Sequence, residues 1–308
     1  VEKIAFVSIV MTYYERLTQL KNTLKSFDLL KYTDFEVIIV DDKSKREPLY
    51  EDLFKAYSFP IRLIAMPENN HTNPCIPFNA GFSIAKGDIV IIQNAECLHV
   101  GNVLEHARRN LRENNYLTYA CYGFNEKMSY QLNSNNIYDL RELSNIIYST
   151  SIDSNEEHGY WCNHSVYRPK ALHFTSAITA NNLKILGGFD IRYADGTAYD
   201  DEEILFRVRM LGLTVNIIDN VCVIHQWHGR DLQESKYKAL KLQARNMLLF
   251  YMVTKRERAL FPQNDSIKYT IYRVFRQVFV LSYLSYYLVM RVTKSSVSIM
   301  KNRIPFLR

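Results

Sequence analysis

Several short stretches of this 308-residue chain end in groups that packing alone does not require. In "IVIIQNAECLHVG" (89–101) an apolar run leads straight into Gln93, Asn94 and Glu96, with His99 beyond. The run reads as a buried strand, so its end presents a carboxamide, a carboxylate and an imidazole. "TYYER" (12–16) and "DDKS" (41–44) follow apolar runs in the same way. Carboxylate and carboxamide oxygens accept from N–H and hydroxyl donors, and they also suit a hard divalent cation. A further acidic group, Asp200, Asp201, Glu202 and Glu203, opens a helical pattern. Compensation of the helix dipole accounts for two acids there and does not call for four.

The elements that must hold these groups alternate. Residues 4–12 read as a strand, and "ERLTQLKNTLKSFDLL" follows with Leu17, Leu20, Leu24 and Phe27 at helical spacing. "FEVIIVDD" is a second strand, Leu49 and Leu53 mark a short helix, and "IRLIAM" is a third strand. "PFNAGFSIAKG" is a helix closed by Gly87, and "DIVIIQ" is a fourth strand. Such alternation with continuous apolar strands predicts an α/β fold, a mostly parallel sheet flanked by helices. Ligands of open α/β sheets gather beyond the carboxyl ends of the strands, so the three polar clusters are expected on one edge. Residues 125–165 break the rhythm and read as an insertion or lid. "HFTSAITA" resumes as a strand, "NNLKILGGFD" as a short helix and Gly turn, and "DDEEILFRVRMLGL" as an amphipathic helix with Ile204, Leu205, Val208 and Leu211 on its stripe. "TVNIIDNVCVIHQWH" closes the pattern as a last strand or pair of strands.

After residue 230 helices replace the alternation. Leu240, Ala244, Met247 and Tyr251 fall on one helical face, and a second helix is expected over about 266–292. Residues 1–230 are therefore read as one α/β domain and 231–308 as a helical extension. Within it, Gln277–Met290 carries no charge and is bordered by Arg276 and Arg291. As a helix it spans about 21 Å against a hydrocarbon core of about 30 Å, so it is expected to pack on protein, pair with a second copy, or lie in a membrane surface.

Composition narrows the classes further. The 47% apolar and 23% charged content is that of a globular chain rather than a disordered one. A formal charge of +6 favours anionic partners such as nucleotide phosphates or a lipid surface, and no nucleic-acid partner is expected. Cys75, Cys97, Cys121, Cys162 and Cys222 form no CxxC pair, so neither a zinc knuckle nor a disulfide framework is suggested and a reducing compartment is expected. The start, "VEKIAFVSIVMT", lacks the order of a signal peptide, and Val1 in place of Met reads as a trimmed chain. A cytoplasmic protein, free or held peripherally at a membrane surface, is the expectation.

"SIVMTYYER", "VIIVDDKS", "PFNAGFSIAKGDIVIIQNAE", "GGFDIRYADGTAYDDEEILFRVRMLGL" and "VIHQWH" together resemble a family-2-like glycosyltransferase of the GT-A fold, in the family's order and spacing over residues 4 to about 228. The resemblance implies a nucleotide-sugar donor, with uridine the expected base, a glycan or glycoconjugate acceptor, and transfer with inversion. It implies that "NAE" stands where the family carries Asp-x-Asp: Glu96 would hold Mn2+ or Mg2+, and Asn94 would reach a water or the donor sugar. One of Asp42 and Asp41 would bind the base or ribose while the other caps the loop. Thr12 and Tyr14 would touch the nucleotide, and Asn79 matches the family's donor-side Asn.

The resemblance also assigns Asp201 as the base that takes the acceptor's proton, with Asp200 orienting the acceptor. Leu205, Arg209 and Gly212 are matched to the pattern that follows. His225 and His228 are both placed to ligate the metal, without a choice between them. Trp161, His164, Arg168 and His173, in "GYWCNHSVYRPKALHF", are expected to border the acceptor. Two other readings compete. A nucleotidyltransferase would begin with a Gly-rich basic loop, which "SIVMTYYERLTQL" lacks. A noncatalytic nucleotide- or carbohydrate-binding module is compatible with the departure at "NAE".

Overall fold

The computed structural model of the chain describes residues 5–134, 139–150, 159–229 and 236–255. Strand β1 (Val7–Tyr13) leads through helix α1 (Leu17–Leu29) to β2 (Phe35–Asp41), and a single 3-10 turn precedes β3 (Ile61–Ala65). Helix α2 (Cys75–Ile84), β4 (Ile89–Asn94), β5 (Cys97–His99), α3 (Val103–Asn110) and β6 (Asn115–Phe124) follow. Then come α4 (Glu126–Ser134), α5 (Leu140–Thr150), β7 (Gly159–Asn163), β8 (Thr175–Thr179) and α6 (Ala180–Leu186), and finally α7 (Asp200–Met210), β9 (Thr214–His225) and α8 (Lys236–Lys255).

One sheet runs β3-β2-β1-β4-β8-β6-β9-β5, with β7 paired to β6. The first four strands are parallel, as expected, and every residue of β2 is buried. Beyond β4 the sheet is mixed rather than mostly parallel: β8 pairs antiparallel with both β4 and β6, while β6 and β9 are parallel. Residues 102–124, which carry no assignment from sequence, form α3 and β6. The region 125–165 contributes α4, α5 and β7 to the fold.

Helices cover both faces. Leu20, Leu24 and Phe27 of α1 and Val103, Leu104 and Ala107 of α3 fill one layer. Phe78 of α2, Leu186 of α6, Ile204, Leu205 and Val208 of α7, and Leu249 and Val253 of α8 fill the other. The buried face of α8 carries Ala244, Leu249 and Val253, whereas Tyr251, expected on that face, is 53% exposed. A third cluster joins Met128, Leu132, Leu143 and Ile147 to the outer strands through Tyr122 and Trp161. Among the described residues no helix is long and apolar enough to cross a membrane. The expected helix over 266–292, with the run Gln277–Met290, lies outside the described residues.

Candidate active site

Register brings the polar clusters to one edge. Thr12 pairs with both Val40 and Asn94, so the carboxyl ends of β1, β2 and β4 lie side by side. Thr12 and Asn94 are half-buried there and Tyr14 is 40% exposed.

The two adjacent aspartates after β2 do different work. Both carboxylate oxygens of Asp41 accept backbone N–H groups, from Ser44 at 2.9 Å and Leu49 at 3.0 Å, so Asp41 closes its loop. Asp42 Oδ2 faces His71 Nε2 at 3.0 Å and accepts from Asn69 at 3.2 Å. Its other oxygen is buried and receives no hydrogen bond among the described residues. A buried carboxylate oxygen in this state is an acceptor set for a ligand donor. His71 and Asn69 belong to "ENNHTNP", and the signal that could have found them is their place after β3, on the same edge.

Gln93 and His99 hold the turn that presents Glu96. Gln93 donates to the Cys97 carbonyl at 2.8 Å, and its Oε1 meets His99 Nε2 at 2.7 Å. Tyr32 stands at 2.9 Å from His99 Nδ1. Burial holds His99 down to about 3, so it is a neutral packing residue. Glu96 follows in the tight turn before β5, whose antiparallel pairing aligns Cys97 with His225. Gln226 locks the two segments together, because its backbone N–H and its side-chain amide both donate to the Glu96 carbonyl at 3.1 Å.

Three nitrogens then converge on one oxygen. Glu96 Oε1 lies 2.6 Å from Arg16 Nη1, 3.3 Å from His225 Nε2 and 3.6 Å from His228 Nε2. Burial opposes ionisation of Glu96, yet Arg16 and His225 hold its carboxyl well below the usual range. Burial likewise opposes the charged form of His225, and its hydrogen bond to Glu96 outweighs this and lifts it to about 9. His228 is pushed down to about 4, chiefly by burial and then by Arg16. The candidate ligand atoms of Glu96, His225 and His228 all lie within 4.8 Å of one another. One carboxylate and two imidazoles at that spacing fit a divalent cation. Both histidines belong to the group. Arg16 has no motif spacing of its own and is legible only once the fold sets it against Glu96.

The second acidic centre lies in the first turn of α7. Asp200 Oδ1 accepts from Asn73 at 2.7 Å, and its Oδ2 lies 3.8 Å from His173 Nε2. Asp201 Oδ1 accepts the backbone N–H of His173 at 2.8 Å and also forms an ion pair with His173 Nδ1. Burial and the neighbouring Asp201 charge push Asp200 up to about 6. Asp201 goes the other way, because the contacts from His173 outweigh burial and hold it below the usual range. His173 is raised in return, against its own burial. Asp201 remains more open than Asp200, at 26% against 9% of the side chain.

The remaining expected residues have structural contacts. Asn79 donates to the Phe189 carbonyl and accepts from the Phe189 N–H, both at 2.8 Å, and so clamps the Gly-Gly turn. Gly188 has φ of 74°, and a Cβ there would fall 2.3 Å from the Asn79 oxygen. Trp161 is packed against Tyr122, His164 and Tyr167. His164 accepts the Val166 N–H at 3.1 Å and pairs through its backbone with half-buried Arg168, closing a turn. On α7 the helix-anchoring arginine is Arg207, not Arg209: Arg207 is buried and bound to Glu203 at 2.6 Å, while Arg209 is exposed.

Comparison with known proteins bears on the fold and the family. Poly(ribitol-phosphate) beta-N-acetylglucosaminyltransferase TarP of Staphylococcus aureus strain N315 is 28% identical over 111 residues, 35% of this chain and 34% of TarP. The aligned part thus spans about a third of that relative's length. The mannosyltransferase PcManGT from Pyrobaculum calidifontis, in complex with GDP-Man and Mn2+, superposes with a TM-score of 0.52 at 14% identity, over 83% of this chain and 65% of that one. GalNAc-T7 with UDP, GalNAc and Mn2+ gives 0.54 at 14% identity, over 94% of this chain and 58% of the other. These likenesses establish the GT-A fold. The sequence profile of glycosyl transferase family 2 matches residues 8–174, a little over half of the chain, and the chain belongs to that family.

Proposed function

We propose that the protein transfers a sugar, with inversion and with the help of a divalent metal, from a uridine-linked nucleotide donor to a hydroxyl of a glycan or glycoconjugate. The observation that carries this reading is the pairing, on one sheet edge, of the unpartnered buried oxygen of Asp42 with the Glu96, His225 and His228 group. Asp42 would accept from the base N–H or a ribose hydroxyl, and Thr12 and Tyr14 would flank the nucleotide. A divalent cation held by Glu96, His225 and His228 would neutralise the diphosphate and so stabilise the departing nucleotide.

Asp201 would take the proton of the acceptor hydroxyl as that oxygen attacks the anomeric carbon, opposite the leaving phosphate. His173 engages Oδ1 of Asp201, which leaves Oδ2 for the acceptor. Asp200, held by Asn73, would orient the acceptor alongside. Titration calorimetry with UDP, in the presence and absence of Mn2+, tests the donor site, and a screen of sugar nucleotides for acceptor-free hydrolysis names the sugar. UDP is expected to bind more tightly with Mn2+. Failure to bind in either condition overturns the reading.

A further inference from the structure

Arg16 occupies the atom that a metal would need. The Glu96 side chain is only 4% exposed, and a buried carboxylate without a counter-charge is costly; Arg16 supplies that charge. His225 and His228 stand 3.3 and 3.6 Å from Glu96 Oε1. Neighbouring ligand atoms around a cation, each about 2.1 Å from it, are separated by about 3.0–3.4 Å, so those two spacings are close to what coordination needs. The Arg16 contact at 2.6 Å is instead a direct hydrogen bond to the same oxygen. A guanidinium keeps its proton and cannot ligate, and its charge repels a second cation at that distance. A cation that takes Glu96 Oε1 must therefore work against that charge or displace it.

The displaced side chain has somewhere to go. Arg16 follows β1 directly, at the start of α1, and its side chain is 34% exposed. It stands on the edge that carries Thr12, Asn94 and Asp42. A planar five-donor fork there suits two phosphate groups better than a lone ammonium does.

Building on the donor reading above, we propose that Arg16 is a built-in competitor of the metal. It holds Glu96 while the site is unloaded and hands it over when a nucleoside diphosphate draws the guanidinium away. By linkage, a nucleotide that engages Arg16 must tighten metal binding by the same factor that the metal tightens nucleotide binding.

Mn2+ binding to the full chain, followed by electron paramagnetic resonance or calorimetry, tests this with Arg16→Gln, Arg16→Lys and Glu96→Gln. Without nucleotide, Arg16→Gln is expected to bind Mn2+ about tenfold more tightly than the parent, since a like charge at the ligand is removed. Arg16→Lys keeps the charge and should stay within about threefold of the parent. Adding UDP should tighten Mn2+ binding to the parent and do so much less for Arg16→Gln. Metal-free Arg16→Gln should melt below the parent and recover with Mn2+, which also reports that it folds. Equal or weaker Mn2+ binding by Arg16→Gln overturns the competition, as does undiminished binding by Glu96→Gln. If UDP fails to bind the parent at all, the donor reading and the handover fall together, while the nucleotide-free comparison still decides whether Arg16 competes for Glu96.

Discussion

Asp200 and Asp201 are neighbours with opposite electrostatics, and the difference defines their tests. Asp201 is held in its ionised form by His173, so it is ready to accept a proton over the whole working range. Asp201→Asn keeps the shape and loses the basicity. It should lower the transfer rate by about 10² to 10⁴ while UDP affinity stays within experimental scatter, as steady-state rates and calorimetry would show; activity within a few-fold of the parent would move the base to Asp200. Asp200 carries a pH signature instead. Its carboxyl is raised to about 6, so between roughly pH 4 and 6 the native state binds a proton that the unfolded chain has released. Stability from this group is present below that window and is lost as pH rises through it. Asp200→Asn, which can still accept from Asn73, should therefore stabilise the protein by about 2 kcal/mol at pH 7.5, with the gain fading by about pH 4. Urea unfolding at the two pH values measures it, and a pH-independent difference would refute it. At this scale the sequence discloses the acids and the two histidines of "HQWH" because their residue types carry chemistry. It does not disclose that Arg16 sits on Glu96, since that pairing joins segments 80 residues apart in the chain; the contacts by which Asp41 caps its loop are local, to Ser44 and Leu49, but two adjacent aspartates read alike.

The element that carries both aspartates is anchored from inside. Helix α7 is fixed by the ion pair of Glu203 and Arg207, whose side chains are each 1% exposed, and Arg207 Nη1 also donates to the Leu186 carbonyl at the end of α6. Removing one partner leaves the other charge buried and alone. Arg207→Met should thus destabilise the fold by about 3–5 kcal/mol. Changing Glu203 to Gln in the same chain should recover part of that loss, because the stranded charge is then gone. Chemical denaturation of the parent, single and double variants tests the cycle, and equal stability of parent and single variant would mean that the pair anchors nothing. Spacing on the helix already separates the two arginines, because Arg207 stands four residues after Glu203 whereas Arg209 has Leu205 and Phe206 at the corresponding positions. The strands are plainer in the sequence: β1, β2 and β4 are buried on both faces and therefore read as continuous apolar runs. β6 interleaves Tyr, Thr and Cys, and its partners β8 and β9 are distant in the chain, so neither run nor alternation marks it.

At the scale of the molecule, α8, which the change of pattern at residue 230 assigns to the extension, packs into the core of the α/β fold. Leu249 and Val253 enter the same core layer as Ile204 and Val208 of α7. Asn246 is fully buried and donates to the Tyr193 carbonyl at 3.0 Å and to the Ala198 carbonyl at 2.8 Å. Those carbonyls belong to the loop that delivers Asp200 and Asp201 through Tyr199, whose φ is 68°. Packing is close enough that a Cβ on Gly196 would fall 2.1 Å from the Asn246 oxygen. The helix therefore sets the backbone entering the acidic centre, and its loss should be felt in chemistry as well as stability. A chain ending at Gly229 loses Leu249 and Val253, uncovers Ile204 and Val208 of α7, and should melt far below one ending at Lys255 or precipitate. Asn246→Ala separates the two effects. It removes the side-chain donor of the Ala198 carbonyl, while the Tyr193 carbonyl keeps the Gly196 N–H, at about 1–3 kcal/mol, and should lower the transfer rate more than it weakens UDP binding. Thermal melts of the truncations, together with kcat and UDP affinity for Asn246→Ala, decide the matter, and a variant with unchanged kcat would show that α8 supports the core without setting the acidic loop.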